Sequence, residues 1–293
     1  PVIAELYRHH IFHIEEFVER GAEGYEGFRI GSPLLGASEA SGDLIKVRSI
    51  ASTFSIQSDD SEVKNNSRQS ELRKKIELEL PALEQEVGDL TQKRSKIETN
   101  VKELEQKIAE IRPFTKVQID LDLYQGYSQF AVLAGYVTRE VTIPVPHEMF
   151  ISKEKDKNFI VVILPVNFRS EAEKTLQAAA FQQIPIPAES GPAEARIDYY
   201  SGQISDLKKE HTEIDLKLEA IKEKHADFLV ACEEILKSEV DKTEAPLRFA
   251  TTNQIFVAEG WVPSDKVATI SQALEKVSSG KIFVTDLPVN FET

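Results

Sequence analysis

Two long stretches, residues 71–112 and 193–242, place apolar residues at alternating three- and four-residue steps. The first runs through Ile76, Leu80, Leu83, Val87, Leu90, Arg94, Ile97, Val101, Leu104, Ile108 and Ile111. The second runs through Ile197, Tyr200, Ile204, Leu207, His211, Ile214, Leu218, Ile221, His225, Phe228, Cys232 and Ile235. A 3.5-residue period keeps one apolar seam along one side of a helix, and such a seam needs a partner. At 1.5 Å per residue the helices would extend roughly 60 and 75 Å. Each is the natural partner of the other, because the chain between them can form a domain that reverses direction. The expected fold class is α+β, with two similar α/β lobes, proximal and distal, joined by a long antiparallel helical coiled-coil arm.

Charge narrows the function. The chain of 293 residues carries a formal net charge of −14. Nucleic acid and anionic membrane surfaces require clustered Lys and Arg, so neither is an expected partner. Within 193–242 there are 13 acidic and 8 basic residues, which disfavours a DNA-clamping arm. The lone Cys232 rules out a disulfide framework within the chain and fits a reducing compartment. The longest apolar runs, such as Phe159–Val166, reach about eight residues, far short of the roughly 20 that span a bilayer. No signal peptide is visible. Pro1 leads straight into an apolar helix, which reads as a piece of a longer protein.

In chain order, residues 1–8 predict a helix and Ile11–Ile14 a short strand. Residues 21–42 hold six of the 13 glycines and predict an irregular loop. The spacing Gly21, Gly24, Gly27 lacks the strand–turn–helix setting of a phosphate loop and reads as surface loop. A short helix is expected over 43–54 and a mobile Ser/Asn/Asp-rich linker over 57–70. Pro81 should kink or restart the first arm helix, and Pro113 closes it. Strands are expected at 117–121, 129–137 and 158–164, and a helix at 170–181. Beyond the second arm helix come a strand at 254–262, a helix at 265–278 and a strand at 281–286. The domains are therefore 1–56 plus 248–293 for the proximal lobe, 57–70 for the linker, 71–112 plus 193–242 for the arm, and 114–192 for the distal lobe.

The two lobes read as copies. Phe130–Val137 (FAVLAGYV) matches Ile255–Val262 (IFVAEGWV), and Leu164–Phe168 (LPVNF) recurs as Leu287–Phe291. Each copy has a strand ending in a glycine followed by an aromatic, where the glycine permits close backbone approach. The motif residues are Gly135, Tyr136 and Val137 in one copy and Gly260, Trp261, Val262 and Pro263 in the other.

Candidate chemistry is sparse. His9 and His13 are four apart, but a helix end and a strand start between them remove any shared face, and no carboxylate or Cys joins them at ligand spacing. Arg94, His211 and His225 are polar positions on the arm seams; such positions set register or meet another chain. Arg94 is expected to pair with Glu239 or Asp206, or to face solvent. Cys232 reads as a small buried apolar residue. No GxSxG, HExxH, CxxC or paired-carboxylate constellation stands out. No catalytic, cofactor-binding or metal residue is assigned, and no small-molecule substrate is expected.

The closing stretch Phe256–Val–Ala–Glu–Gly260–Trp261–Val262–Pro263, the opening Leu6–Tyr7–Arg8–His9–His10–Ile11–Phe12–His13–Ile14–Glu15 and the lobe–arm–lobe plan resemble one family. It is the cytoplasmic N-terminal half of the A/V-type rotary ATPase stator subunit, called subunit I in archaeal-type ATP synthases and subunit a in the vacuolar enzyme. The sequence departs from the family pattern in lacking its membrane half, with the essential arginine of the ion path, and a first strand before the opening helix. The resemblance implies a non-catalytic arm on the cytoplasmic face of the membrane, without cofactors. Implied partners are the peripheral-stalk E/G (E/H) coiled-coil heterodimers and the membrane sector, with the protein that caps the central stalk as a further candidate. Without the resemblance, periodicity alone is equally met by a coiled-coil scaffold or tether. An enzyme with a cleft between lobes would need a convergent set of His, Asp or Glu, and none assembles.

Overall fold

The heptad stretches fold as two helices, and the apolar runs around them alternate with turn residues and fold as strands. The computed structural model describes residues 1–18, 27–56, 66–153 and 156–287. Its elements in order are α1 (Val2–His9), β1 (His13–Ile14), β2 (Arg29–Ile30), α2 (Ala37–Thr53), α3 (Asn66–Ile111), β3 (Phe130–Val137), β4 (Glu148–Lys153), β5 (Asn158–Pro165), α4 (Arg169–Ala178), β6 (Gln182–Gln183), α5 (Ala193–Glu244), β7 (Ala250–Thr251), β8 (Phe256–Val257), β9 (Gly260–Trp261) and α6 (Val267–Ser278). Helix and strand are mixed. The chain divides into two compact units, Pro1–Val87 with Glu219–Thr293, and Gly88–Leu218.

The unit Gly88–Leu218 is built on a four-stranded antiparallel sheet of order β4-β5-β3-β6. β3 and β5 are apolar on both faces because both faces are covered. On one face Phe159, Val161 and Ala134 pack with Ile108, Ile111, Tyr200 and Ile204 of α3 and α5. On the other Leu133, Ile160, Val162 and Leu164 pack with Ala172 and Leu176 of α4. The expected strand at 117–121 is absent, and two 3-10 turns (Arg112–Lys116 and Leu121–Tyr124) flank the segment instead. Phe114, Val117, Leu121 and Tyr124 recur at three- and four-residue steps and are all buried, which is a helical rather than a strand period. The strand β4 has no counterpart among the expected elements: it lies at the sheet edge with Phe150 and Ile151 exposed, so its pattern lacks a buried face.

In the other unit α2 packs with the first part of α3 and the last part of α5. Val47, Ile50, Ile76, Leu80, Leu229, Cys232 and Leu236 are buried there. The stripe of Leu229 and Leu236 lies beside the heptad seam, so α5 buries two rows in this unit. Ion pairs mark the contacts: Arg48–Glu233 at 2.8 Å between α2 and α5, and Arg73–Asp43 at 3.0 Å between α3 and α2. α3 runs through Pro81 without the expected restart. Pro81 and Glu77 are exposed, so the carbonyl that loses its N–H partner faces water. Burial of Ile76, Leu80 and Leu83, at about 1.5–3 kcal/mol each, outweighs a proline penalty of about 3 kcal/mol.

The strands of this unit are short. β7 and β8 pair as a hairpin, β2 joins β7, and β9 pairs with β1. The single strand expected at 254–262 is therefore split, because its first half pairs with β7 and its second with β1. The strand expected at 281–286 is not formed: Ile282 packs against Leu6, Ile270 and Leu274, while Phe283 is 89% exposed. α2 begins at Ala37, so Gly42 of the expected loop is helical. Gly21 and Gly24, residues 57–65 of the linker and residues 288–291 of the second repeat lie outside the described residues.

Candidate functional site

The seam positions are reached from α3 and α5, whose antiparallel neighbours share a nearly constant sum of residue numbers. That register brings Arg94 and His211 into one polar layer of the unit Gly88–Leu218. Arg94 Nη1 lies 3.6 Å from Asp215 Oδ1 and its Nε 3.9 Å from Glu98 Oε1. His211 Nε2 is 3.2 Å from Glu98 Oε1, and Nδ1 is 3.0 Å from Asp215 Oδ2. The expected partners of Arg94 are corrected: Asp206 pairs with Lys209 at 2.9 Å, and Glu239 faces Arg73 at 3.8 Å. Glu98 and Asp215 escape the seam pattern, although each stands four residues after a polar seam position, where a helix places neighbours. His225 belongs to the other unit, half-buried, with its ring 6.3 Å from that of Phe228.

The glycine–aromatic motifs occupy equivalent places in the two units. In β3, Gly135 stands opposite Gln183 and Tyr136 opposite Gln182 of β6, which follows α4. In β9, Gly260 stands opposite Ile14 and Trp261 opposite His13 of β1, which follows α1. A Cβ on Gly135 would fall 2.3 Å from the Gln182 carbonyl oxygen and 2.5 Å from the Phe181 ring. On Gly260 it would fall 2.2 Å from the His13 carbonyl oxygen and 2.6 Å from the Phe12 ring. Each glycine thus makes room for a phenylalanine from the neighbouring strand's approach. The flanking residues differ. Tyr136 lies under Lys157 Nζ at 3.8 Å, whereas Trp261 donates Nε1–H to Glu15 Oε2 at 2.8 Å and stays 54% exposed. Val137 is buried against α4's cluster, and Val262 packs with Leu6 and Ile270. Pro263 closes the stretch, its carbonyl accepting Lys266 N–H at 2.8 Å.

A further cluster lies at the start of α5. Glu189 accepts from Arg196 Nε at 2.9 Å and Nη2 at 2.5 Å, and from the Tyr200 hydroxyl. The Tyr200 bond, with Arg196 beside it, holds the Glu189 carboxyl below the usual carboxylate range, and the same bond raises the Tyr200 hydroxyl. Asp122 Oδ1 accepts Gly191 N–H at 2.8 Å, which lowers its own carboxyl. Burial pushes the Cys232 thiol up to about 12, well away from a reactive thiolate. Among the described residues no group of three or more His, Cys, Asp or Glu side chains is arranged to hold a metal. Among them, too, no helix is long and apolar enough to cross a membrane.

No family model matches the chain. Curated relatives do. The A-type ATP synthase subunit I of Halobacterium salinarum is 27% identical over 293 residues, covering 98% of this chain and 40% of that protein. The subunit I of Archaeoglobus fulgidus is 27% identical over 264 residues, covering 88% of this chain and 38% of that protein. The chain is similar to A-type ATP synthase subunit I. It spans about two fifths of the length of those subunit I proteins. Among solved structures, the cytoplasmic N-terminal domain of subunit I, homolog of subunit a, of V-ATPase aligns over 95% of this chain and 92% of that one. Its identity is 13% and its TM-score 0.41, too low to add to the sequence match to subunit I.

Proposed function

We propose that this chain is the non-catalytic arm of a rotary ATPase stator subunit, working on the cytoplasmic face of the membrane. The observation that carries the reading is the similarity to subunit I over 98% of the chain. In this role the chain joins the peripheral-stalk E/G heterodimers to the membrane sector, with the protein that caps the central stalk as a further contact, and resists the torque of a proton- or sodium-driven rotor. Its domains are lobes 1–56 plus 248–293 and 114–192, a linker within the expected 57–70 that ends where α3 begins at Asn66, and an antiparallel arm of 71–112 with 193–242. The glycine–phenylalanine junctions and the charged layer at Arg94 support a rigid connector, because packed strands and crossed ion pairs limit bending. A stator needs stiffness more than a pocket.

The test is calorimetric titration of the chain with purified E/G heterodimer. Saturable binding, reduced when residues 114–192 are deleted in a variant that keeps its helical circular dichroism, is the expected result. Absence of binding by both forms leaves a coiled-coil scaffold as the better account.

A further inference from the structure

The four-stranded sheet ends differently on its two sides. At one edge β6 is two residues long and is followed by Pro185, which is exposed and has no N–H to offer. Short strands and proline are devices by which natural sheets blunt an edge. At the other edge β4 spans six residues, Glu148–Lys153, and pairs with β5 along its whole length. Among the described residues no strand lies on its outer side. Between its charged ends the run Met149–Phe150–Ile151–Ser152 holds neither a proline nor a charge. A row of outward backbone groups on such an edge is a template for a further strand.

The side chains favour the same addition. Phe150 stands opposite Val161, on the face that α3 and α5 cover, and is 40% exposed. Ile151 stands opposite Ile160, on the α4 face, and is 47% exposed. Each face therefore stops at β4 with an apolar residue half in water, and one added strand with two consecutive apolar residues extends both. Glu148 and Lys153 give that strand a direction, because opposite charges across a ladder stabilise and like charges destabilise. Lys153 lies 3.2 Å from Glu140, an exposed pair that contributes little and leaves the ammonium accessible. Every pairing in this sheet is antiparallel, the slightly stronger arrangement.

A second copy of the chain fits this edge poorly. Two copies of β4 related by a two-fold axis keep each residue on its own face, and residues directly opposite share a face. Glu148 and Lys153 lie on opposite faces, so they never meet in such a pair, and each chain brings a net charge of −14.

We propose that the outer edge of β4 is a docking site for an extended segment of a partner protein, which adds as a further antiparallel strand. The segment carries an acidic residue opposite Lys153, apolar residues opposite Ile151 and Phe150, and a basic residue opposite Glu148. Backbone hydrogen bonds hold it, and the two apolar positions with the charged ends select it. This inference does not rest on the stator reading.

The probe is the blocked, fluorescein-labelled hexapeptide ETIFVK, titrated into the chain and followed by fluorescence anisotropy. Saturable binding with a Kd below about 1 mM is expected, together with slower amide hydrogen exchange in β4. Phe150→Lys should weaken binding about fivefold or more, whereas Leu216→Lys, on an exposed face of α5, should leave it unchanged. N-methylation of alternate peptide residues tests the ladder even if Phe150→Lys does not fold. One alternate set should abolish binding, and the other, facing away from β4, should be tolerated. The charge-reversed peptide KTIFVE should bind more weakly. Equal or tighter binding of KTIFVE, indifference to both N-methylated peptides, or no saturation by about 1 mM overturns the proposal. So does a concentration-dependent dimer of the chain weakened by Phe150→Lys, which assigns the edge to a second copy.

Discussion

Gly260 and the His13 carbonyl oxygen approach so closely that a Cβ on the glycine would lie 2.2 Å away, and Gly135 repeats the relationship with Gln182 at 2.3 Å. The atoms in the way are backbone oxygens in strand ladders, which cannot swing aside as a side-chain tip can. The phenylalanines beneath, Phe12 and Phe181, belong to the hydrophobic clusters of their units.

Gly135→Ala and Gly260→Ala should each destabilise by about 1–3 kcal/mol, the usual cost of forcing a methyl into a filled space. Trp261 is the one tryptophan of the chain, so its fluorescence reports the Gly260 neighbourhood directly. Gly88→Ala is the control. Gly88 is a helical glycine of α3 with nothing within 4 Å of a built Cβ, and its replacement should stabilise by about 0.5–1 kcal/mol. Urea unfolding of the three variants checks all of this, and unchanged midpoints for the first two would contradict the close approach.

Arg73 gathers carboxylates from three helices. Asp43 lies at 3.0 Å and Glu39 at 3.7 Å on α2, with Glu77 on α3 and Glu239 on α5 both at 3.8 Å. Its side chain is 20% exposed, between the surface pairs that contribute little and the buried ones whose breakage costs several kcal/mol. Arg73→Ala should cost about 1.5–3 kcal/mol, more than Arg94→Ala in the more open layer. Chemical denaturation of both variants gives the comparison, and equal losses would remove Arg73 from its central role.

Much of this is legible in the sequence, and what is not has physical causes. The two long helices follow from Ile76 through Ile111 and Ile197 through Ile235, because a seam of that length has one solution. The strands β3 and β5 follow from apolar runs covered on both faces. The hidden features are set by distant partners. Nothing local says that Phe256 pairs with β7 while Trp261 pairs with β1, or that Phe114–Tyr124 turns rather than extends. Spacing puts Arg94 on the seam, but its partner depends on a register that local periodicity leaves open by whole heptads. Close approach at Gly135 and Gly260 is readable from the motif, yet Phe12 and Phe181, which explain it, carry no signal of their own.

Glu189 gives a pH dependence with a definite sign. Its carboxyl is lowered in the folded chain, first by the Tyr200 hydrogen bond and then by Arg196. A group with a depressed folded value contributes stability above its unfolded value, near 4.3, and loses it as pH falls through the folded value. Acid unfolding between about pH 5 and 2 should therefore be steeper in the chain than in Glu189→Gln. Tyr200→Phe should show a shallower slope than the chain while keeping the aromatic packing. Equal slopes in all three proteins, measured by circular dichroism, would exclude the cluster as a source of acid sensitivity.

Cys232 offers a probe that separates burial from reactivity. The residue is fully buried on α5, and burial places its thiol near 12, with Lys75 only partly opposing the shift. A thiolate is the reacting form, so both access and ionisation block modification in the folded chain. An aromatic disulfide reagent at pH 8 should label folded protein only through opening of the α2–α3–α5 packing, and label urea-unfolded protein at once. Arg73→Ala should raise the folded-state rate in proportion to the stability it loses, about tenfold for each 1.4 kcal/mol where opening is the limiting equilibrium. A fast folded-state rate, indifferent to Arg73, would mean that the three helices do not enclose Cys232.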